Sequence, residues 1–451
     1  MKYFKGSIFH TPTHGELVYI EDALIVVNET GEIQAVYQPT DAEYQATLAE
    51  AQESDNFLCL GKGQYFLPGF VDLHVHAPQW PQAGVALDEP LNHWLDECTF
   101  PLEAKYGDVT FAETVYQDLV DHLLARGTTT VLYFATAHLE ASLALAKICG
   151  EKGQRGLVGK VVMDHPEMTP SYYRDDSAAS ALADTETFIR EVQKMAEHVP
   201  QGVYPVITPR FVPSCTDESL AGLGELARQY DVHVQSHCSE GQWAHDHVIE
   251  RFGKRDTEVL RDFGLLTDKS VMAHCNFIDE HDGDIFIETG TAVAHCPISN
   301  AYFANGALPV KRLKAQGVEM GLGTDISGGF SPSLWDNIKQ AVISSRMLED
   351  GVDVTLPQPI RGVASSRISV VEAFSLATQG GGEALSLPIG VLAPGYIFDA
   401  QVLDMNAQAN QITGYGVFNE PEAQLQKLLY LATPENIKQV WVQGQLVHHQ
   451  S

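Results

Sequence analysis

The 451-residue chain carries 28 Lys and Arg against 59 Asp and Glu, a formal charge of −31, with 44% hydrophobic and 19% charged residues. That is the balance of a soluble globular protein. So acidic a chain argues against nucleic acid or an anionic membrane as partner, because affinity for polyphosphates comes from clustered Lys and Arg.

Short β-type runs open the chain at 7–10, 17–20, 23–27 and 33–37, and Asn28-Glu29-Thr30-Gly31 supplies a hairpin turn before the last of them. The opening Met1-Lys2-Tyr3-Phe4-Lys5 has no long apolar core, and no run of 18 apolar residues occurs anywhere. No secretory signal or membrane span is therefore expected, and a cytoplasmic location is. From residue 65 onward, apolar β-type runs at 65–76, 128–136, 156–163, 203–211, 232–238, 270–277, 291–296 and 319–325 alternate with helical stretches such as 219–230 and 247–263. Eight such units imply a mainly parallel α/β sheet, and closure into a (β/α)8 TIM barrel is the favoured solution. An open doubly wound sheet is the alternative. Against it, no GxGxxG follows the first strand, and polar groups stand at the ends of several strands. Residues 165–185, with Pro166 and Pro170, read as a loop after the third strand on the active-site side. Strand-like runs resume at 397–403 and 440–447. The expected organisation is a composite β-sandwich domain from residues 1–67 and 392–451 around a barrel of residues 68–391.

The seven cysteines are odd in number and lack CxxC spacing, which suits a reducing compartment better than a disulfide framework. Cys238, Cys275 and Cys296 each follow a histidine and are expected as small buried side chains rather than metal ligands.

Chemistry concentrates at the carboxyl ends of the barrel-type strands, where such a fold builds its active site. The chain holds 18 His and two HxH pairs, so the motif alone is weak. Residues i and i+2 share a face only on a strand. His74 and His76 end a strand-like run, whereas His245 and His247 sit in a helical stretch. The first pair is the expected metal-binding one. His237 ends the fifth strand, and Asp325 closes Gly321-Leu322-Gly323-Thr324 after the eighth. Three neutral imidazoles and one carboxylate suffice to hold a catalytic divalent cation. Glu240, three residues past His237, is placed to move protons beside the metal without ligating it. His274 ends the sixth strand, either as a further ligand or as a hydrogen-bonding neighbour. His295 ends the seventh in a supporting or contacting role, and His233 lies deeper in its strand as a structural residue.

At these residues the chain resembles the amidohydrolase superfamily, and within it the barrel-type guanine deaminases. The motifs are Pro68-Gly69-Phe70-Val71-Asp72-Leu73-His74-Val75-His76-Ala77-Pro78-Gln79, Thr99-Phe100-Pro101-Leu102-Glu103, Pro209-Arg210-Phe211, Gln235-Ser236-His237, Ala294-His295-Cys296-Pro297 and Gly321-Leu322-Gly323-Thr324-Asp325. The resemblance implies hydrolysis of guanine to xanthine and ammonia with one Zn2+ per subunit, held by His74, His76, His237 and Asp325, in a homodimer. Arg210 and Phe211 stand where many relatives carry a bridging lysine, which implies a mononuclear site. For guanine, Arg210 supplies a donor to O6, Gln79 reads the purine edge, and Phe211, Trp80 and Trp94 are candidate apolar walls. Contacts from His76, His237, Glu240 and Asp325 complete the implied base site, with Glu240, Asp325 and His274 in proton transfer. Two other readings stay open: deamination of another heterocycle (a triazine, a pterin or a modified adenosine), or a non-catalytic binding scaffold.

Overall fold

The computed structural model describes residues 1–450. Seventeen strands fall into two sheets. In the first part of the chain these are β1 (Lys2–Thr13), β2 (Glu16–Val27), β3 (Ile33–Tyr37), β4 (Phe57–Cys59) and β5 (Gln64–Pro68). The central strands are β6 (Phe70–His76), β7 (Thr128–Phe134), β8 (Arg155–Gly159), β9 (Val161–Val162), β10 (Val203–Pro209), β11 (His233–Cys238), β12 (Ser270–His274), β13 (Ala292–His295) and β14 (Met320–Leu322). The chain ends with β15 (Ala400–Asp404), β16 (Ile437–Val442) and β17 (Gln445–His449).

Both chain ends build one mixed sheet, in the order β17-β16-β15-β5-β1-β2-β3 with β4 beside β1. Its core stacks Phe4 on Phe398, with ring centroids 4.1 Å apart, and Trp441 edge-on at 5.0 Å. This is the small β domain expected from the two ends. The hairpin across residues 28–31 is present, with β2 and β3 antiparallel.

The other sheet is the barrel, running β6-β7-β8-β10-β11-β12-β13-β14 with every strand pair parallel and β9 alongside β10. Val71, Leu73, Leu132, Leu157, Val206 and Val271 fill its interior. Larger clusters fill the layer between strands and surrounding helices.

Three of the element boundaries that differ from the sequence reading have a clear local reason. The run 65–76 is two strands, because the chain leaves the mixed sheet at Gly69, whose N–H bonds Asp399 O, and enters the barrel at Phe70. The stretch 247–263 is two helices, Gln242–Phe252 and Asp256–Asp262, because Gly253 takes a left-handed φ of 65° and ends the first. The segment 165–185 is loop only to Ser177, which caps the helix Ala178–Ala196 in a reciprocal box with Ser180.

The seam between the last and first strands positions the site. β14 is only three residues long and has no ladder with β6. Closure comes just beyond it, where Asp325 N–H donates to His74 O at 2.8 Å and His76 N–H donates to Ile326 O at 2.7 Å. Beneath these bonds the fully buried Asp72 carboxylate accepts from Thr324 N at 2.9 Å, Thr324 Oγ1 at 2.6 Å and His74 N at 3.3 Å. Burial, only partly offset by these donors, raises Asp72 to about 7. The approach is close enough that a Cβ on Gly323 would meet Cβ of His74 at 2.8 Å and Sγ of Cys296 at 3.0 Å. A register shift between Asp72 and Val75 against β7 exchanges the two strand faces. Val75 then packs outward against the helices, leaving the lumen side to His74 and His76.

Removing the Asp72 carboxylate strands two buried donors on Thr324, at about 1–3 kcal/mol for each unsatisfied group. Asp72→Ala is expected to lower the unfolding free energy by about 2–5 kcal/mol, read from its urea midpoint. A midpoint equal to that of the parent would show that the seam does not depend on this carboxylate.

Candidate active site

Side chains from four barrel strand ends meet at the barrel mouth. His74 Nε2 lies 3.2 Å from Asp325 Oδ1, and His76 Nε2 lies 3.6 Å from the same oxygen. His76 Nε2 and His237 Nε2 face each other at 2.9 Å. His274 Nε2 lies 3.8 Å from Asp325 Oδ2 and 3.7 Å from Glu240 Oε1. Overlapping triads, His74/His76/Asp325, His74/His237/His274 and Glu240/His274/Asp325, each bring their ligand atoms within 4.8 Å of one another. Every such grouping among the described residues is made of His, Asp and Glu, with no cysteine. Cys238, Cys275 and Cys296 are buried free thiols.

Backbone geometry aims these groups. Ser239, His274 and Asp325 take left-handed φ values of 46°, 68° and 51° just as their strands end, a conformation costing non-glycine residues of order 1–3 kcal/mol each. The hydrogen bonds around them hold it. Ser239 N–H donates to Asp256 Oδ2 at 2.8 Å, Asn276 Nδ2 to Glu240 O at 3.0 Å, and Asp325 N–H to His74 O.

The donor set fits a metal cation. His237 Nδ1 is 2.5 Å from Arg210 O, and His274 Nδ1 is 2.9 Å from Asn300 Oδ1. Donation through Nδ1–H leaves both Nε2 lone pairs facing the cluster. The buried His74 Nε2 and His274 Nε2 have no hydrogen-bond partner. Burial, with neighbouring imidazoles and Arg210 adding to it, pushes His74, His76 and His237 well below the usual histidine range, so these rings are neutral and able to ligate. Burial, followed by the Asp325 charge, moves the Glu240 carboxyl up to about 8.

The cluster floors a cavity of about 910 Å³. His76, Gln79, Arg210, Phe211, His237, Glu240 and Asp325, the seven residues singled out from sequence for the substrate, all line it. His74 and His274 lie beneath. Trp94 joins the wall and packs on Phe303 with ring centroids 5.2 Å apart. Trp80, the other candidate wall, does not join it. Its indole Nε1 donates to Asp118 Oδ2 at 2.6 Å and its ring lies on His122, which turns it toward the helix Val109–Leu124. Residues 167–170 of the loop after the third strand line the cavity, as that loop's expected side requires. His295 is buried outside it, and burial drives its ring down to about 3. His233 is tied to Leu385 O at 3.0 Å, a structural bond.

One residue of this neighbourhood was not singled out from sequence. Glu103 is fully buried and binds both Gln79 and Arg210. In sequence it is one acidic residue closing Phe100-Pro101-Leu102, close behind Asp96 and Glu97, and nothing local sets it apart.

Comparison with known proteins follows the same lines. The model of the amidohydrolase family matches residues 65–447. The chain belongs to that family. A guanine deaminase of Mus musculus is 36% identical over 98% of this chain and 96% of its own length. The amidohydrolase fold recurs with TM-score 0.87 and 30% identity in the crystal structure of a guanine deaminase from C. acetobutylicum with guanine bound in its active site, covering 99% of this chain and 100% of that one. An adenosine deaminase from Xanthomonas campestris with bound zinc shares the fold at TM-score 0.80 and 23% identity, over 98% of this chain and 92% of its own.

Removing one imidazole from this cluster should release a bound cation. His237→Ala is expected to weaken divalent-ion affinity at least about tenfold, measured by competition with a chromophoric chelator, while far-ultraviolet circular dichroism stays unchanged. Equal affinity in both proteins would contradict a metal role for the cluster.

Proposed function

We propose that the chain hydrolytically deaminates guanine to xanthine and ammonia, using one zinc ion held by His74, His76, His237 and Asp325. The observation that carries this is the pairing of a convergent set of neutral imidazoles and a carboxylate with Arg210 and Gln79 on the wall of the same cavity. The guanine-bound relative, aligned over nearly its whole length, supports the substrate. The zinc-bound neighbour of the same fold supports the metal.

A cation held by these four residues would acidify a water molecule, whose pKa such ions lower from 15.7 toward about 7, and so favour its attack at neutral pH. The protein's own groups do the rest. Arg210 donates to the purine O6, and Gln79, with one amide donor and one acceptor position to spare, reads the adjoining edge. Phe211 and Trp94 flank the flat base. Glu240 accepts the proton of the attacking water and delivers it to ring N3 as C2 is attacked. Asp325, with His274 beside its Oδ2, holds the second proton for the departing 2-amino group.

Placed proton transfer of this kind contributes about 10²–10⁴-fold. Glu240→Gln is therefore expected to lower kcat for xanthine formation by about 10²–10⁴-fold with metal content unchanged, followed by ultraviolet absorbance and ammonia release. Undiminished turnover would refute the proton shuttle. Strong activity on triazines or pterins with none on guanine would refute the substrate.

We further propose a homodimer in the cytoplasm, with the domain division at residues 67/68 and 391/392. Seven free cysteines support a reducing compartment, and no helix of the described residues is long and apolar enough to cross a membrane. The dimer reading rests on the segment that ends the helix Leu334–Asp350, where Met347, Val352, Val354, Ile360 and Val363 are between 50% and 79% exposed. Val363 N–H bonds back to Leu348 O, which brings the two ends of this segment together. Light scattering is expected to give twice the monomer mass, and Ile360→Asp to shift it toward one chain. A monomeric parent protein would overturn the assignment.

A further inference from the structure

The groups proposed to read the purine are held from behind by one carboxylate that does not reach the cavity. Glu103 Oε2 accepts from Arg210 Nη1 at 2.6 Å, and its Oε1 accepts from Arg210 Nη2 at 3.2 Å. The same Oε1 accepts from Gln79 Nε2 at 3.0 Å, while Gln79 Oε1 accepts from Ser327 N–H at 3.2 Å. The Arg210 guanidinium carbon lies 5.1 Å over the Phe100 ring. Gln79 and Arg210 line the cavity; Glu103, at the end of the helix Phe100–Glu103, does not.

Orientation is one consequence. The Gln79 amide cannot exchange its ends without setting its oxygen against the Glu103 carboxylate and its NH2 against the Ser327 N–H. The donor and acceptor positions it turns to the cavity are therefore fixed. Charge is the other. A guanidinium buried alone carries a desolvation penalty of several kcal/mol. The Glu103 carboxylate, bound to two nitrogens of the guanidinium, supplies the compensating charge, so the pair is neutral overall. Donors left over on a neutralised guanidinium suit a carbonyl oxygen, not an anion.

We infer that Glu103 is a specificity-determining positioning residue, which acts through Arg210 and Gln79 to make the site select a neutral 6-oxopurine edge. This rests on the guanine reading above. Parent protein that does not deaminate guanine overturns that reading; the outcomes below, in active parent protein, bear on Glu103 alone.

The experiment compares E103Q with the parent on guanine and on 2,6-diaminopurine, which carries an amine at C6 and no N1–H. E103Q is expected to lose roughly 100-fold in kcat/KM on guanine, mostly through KM, and less than about threefold on 2,6-diaminopurine. Metal content should stay at the parent level, and E103D should recover part of the selectivity. Equal losses on both substrates, or no loss on guanine, would refute the inference. A measurement on the parent protein alone guards against variants that do not fold. Hypoxanthine, neutral with O6, is expected to inhibit competitively at lower concentration than purine-6-carboxylate, an anion at the same position. Tighter binding of the anion would show that Arg210 acts as an uncompensated charge and would overturn the proposal.

Discussion

Buried ring nitrogens whose lone pairs find no donor are the constraint on which this structure turns. A buried polar atom without a partner costs about 1–3 kcal/mol, and two of the imidazoles at the barrel mouth have such an atom facing the cluster. The Nδ1 of His274 is tied to Asn300 Oδ1, and that of the neighbouring His237 to Arg210 O, which fixes both rings with Nε2 toward the cluster. A cation relieves it for the set at once. A bound cation would thereby link metal affinity to fold stability.

That constraint reaches back into the way the barrel closes. The seam between first and last strands has no ladder of its own. Here it is made by two backbone bonds past the end of a three-residue strand and by one buried carboxylate below them. The same bonds set His74, His76 and Asp325 within reach of each other. A strand shift of one residue would turn the histidines out toward the helices. Closing the fold and assembling the ligand set are therefore a single event, with Asp72 and the small Gly323 serving both.

Much of this was legible in the sequence. Eight apolar runs, several with a polar group at the carboxyl end, gave the barrel strands, and His74, His76, His237, His274 and Asp325 at such ends are the residues that meet in the cluster. What sequence periodicity left hidden is what depends on tertiary approach. Gly69 divides a continuous apolar run because two different sheets claim its two sides. Trp80 sits next to Gln79 in the chain, yet its indole finds a carboxylate on a helix outside the barrel while Gln79 turns inward. Glu103 reads as one carboxylate among 59 acidic residues. Only its burial beside Arg210, across more than a hundred residues of chain, distinguishes it.

The excess of negative charge bears on the same pocket. Asp88, Glu89, Asp96 and Glu167 stand along the cavity wall, and Arg210 is the one Lys or Arg side chain there. Opposed to that field, a free guanidinium would attract anions inward, whereas one already matched by Glu103 adds no net charge. The wall then repels phosphorylated or carboxylated ligands while the interior still offers hydrogen-bond donors at short range. A neutral base passes both conditions. Net charge of the chain, which by itself says nothing about fold, becomes through this geometry part of how the site chooses what it admits.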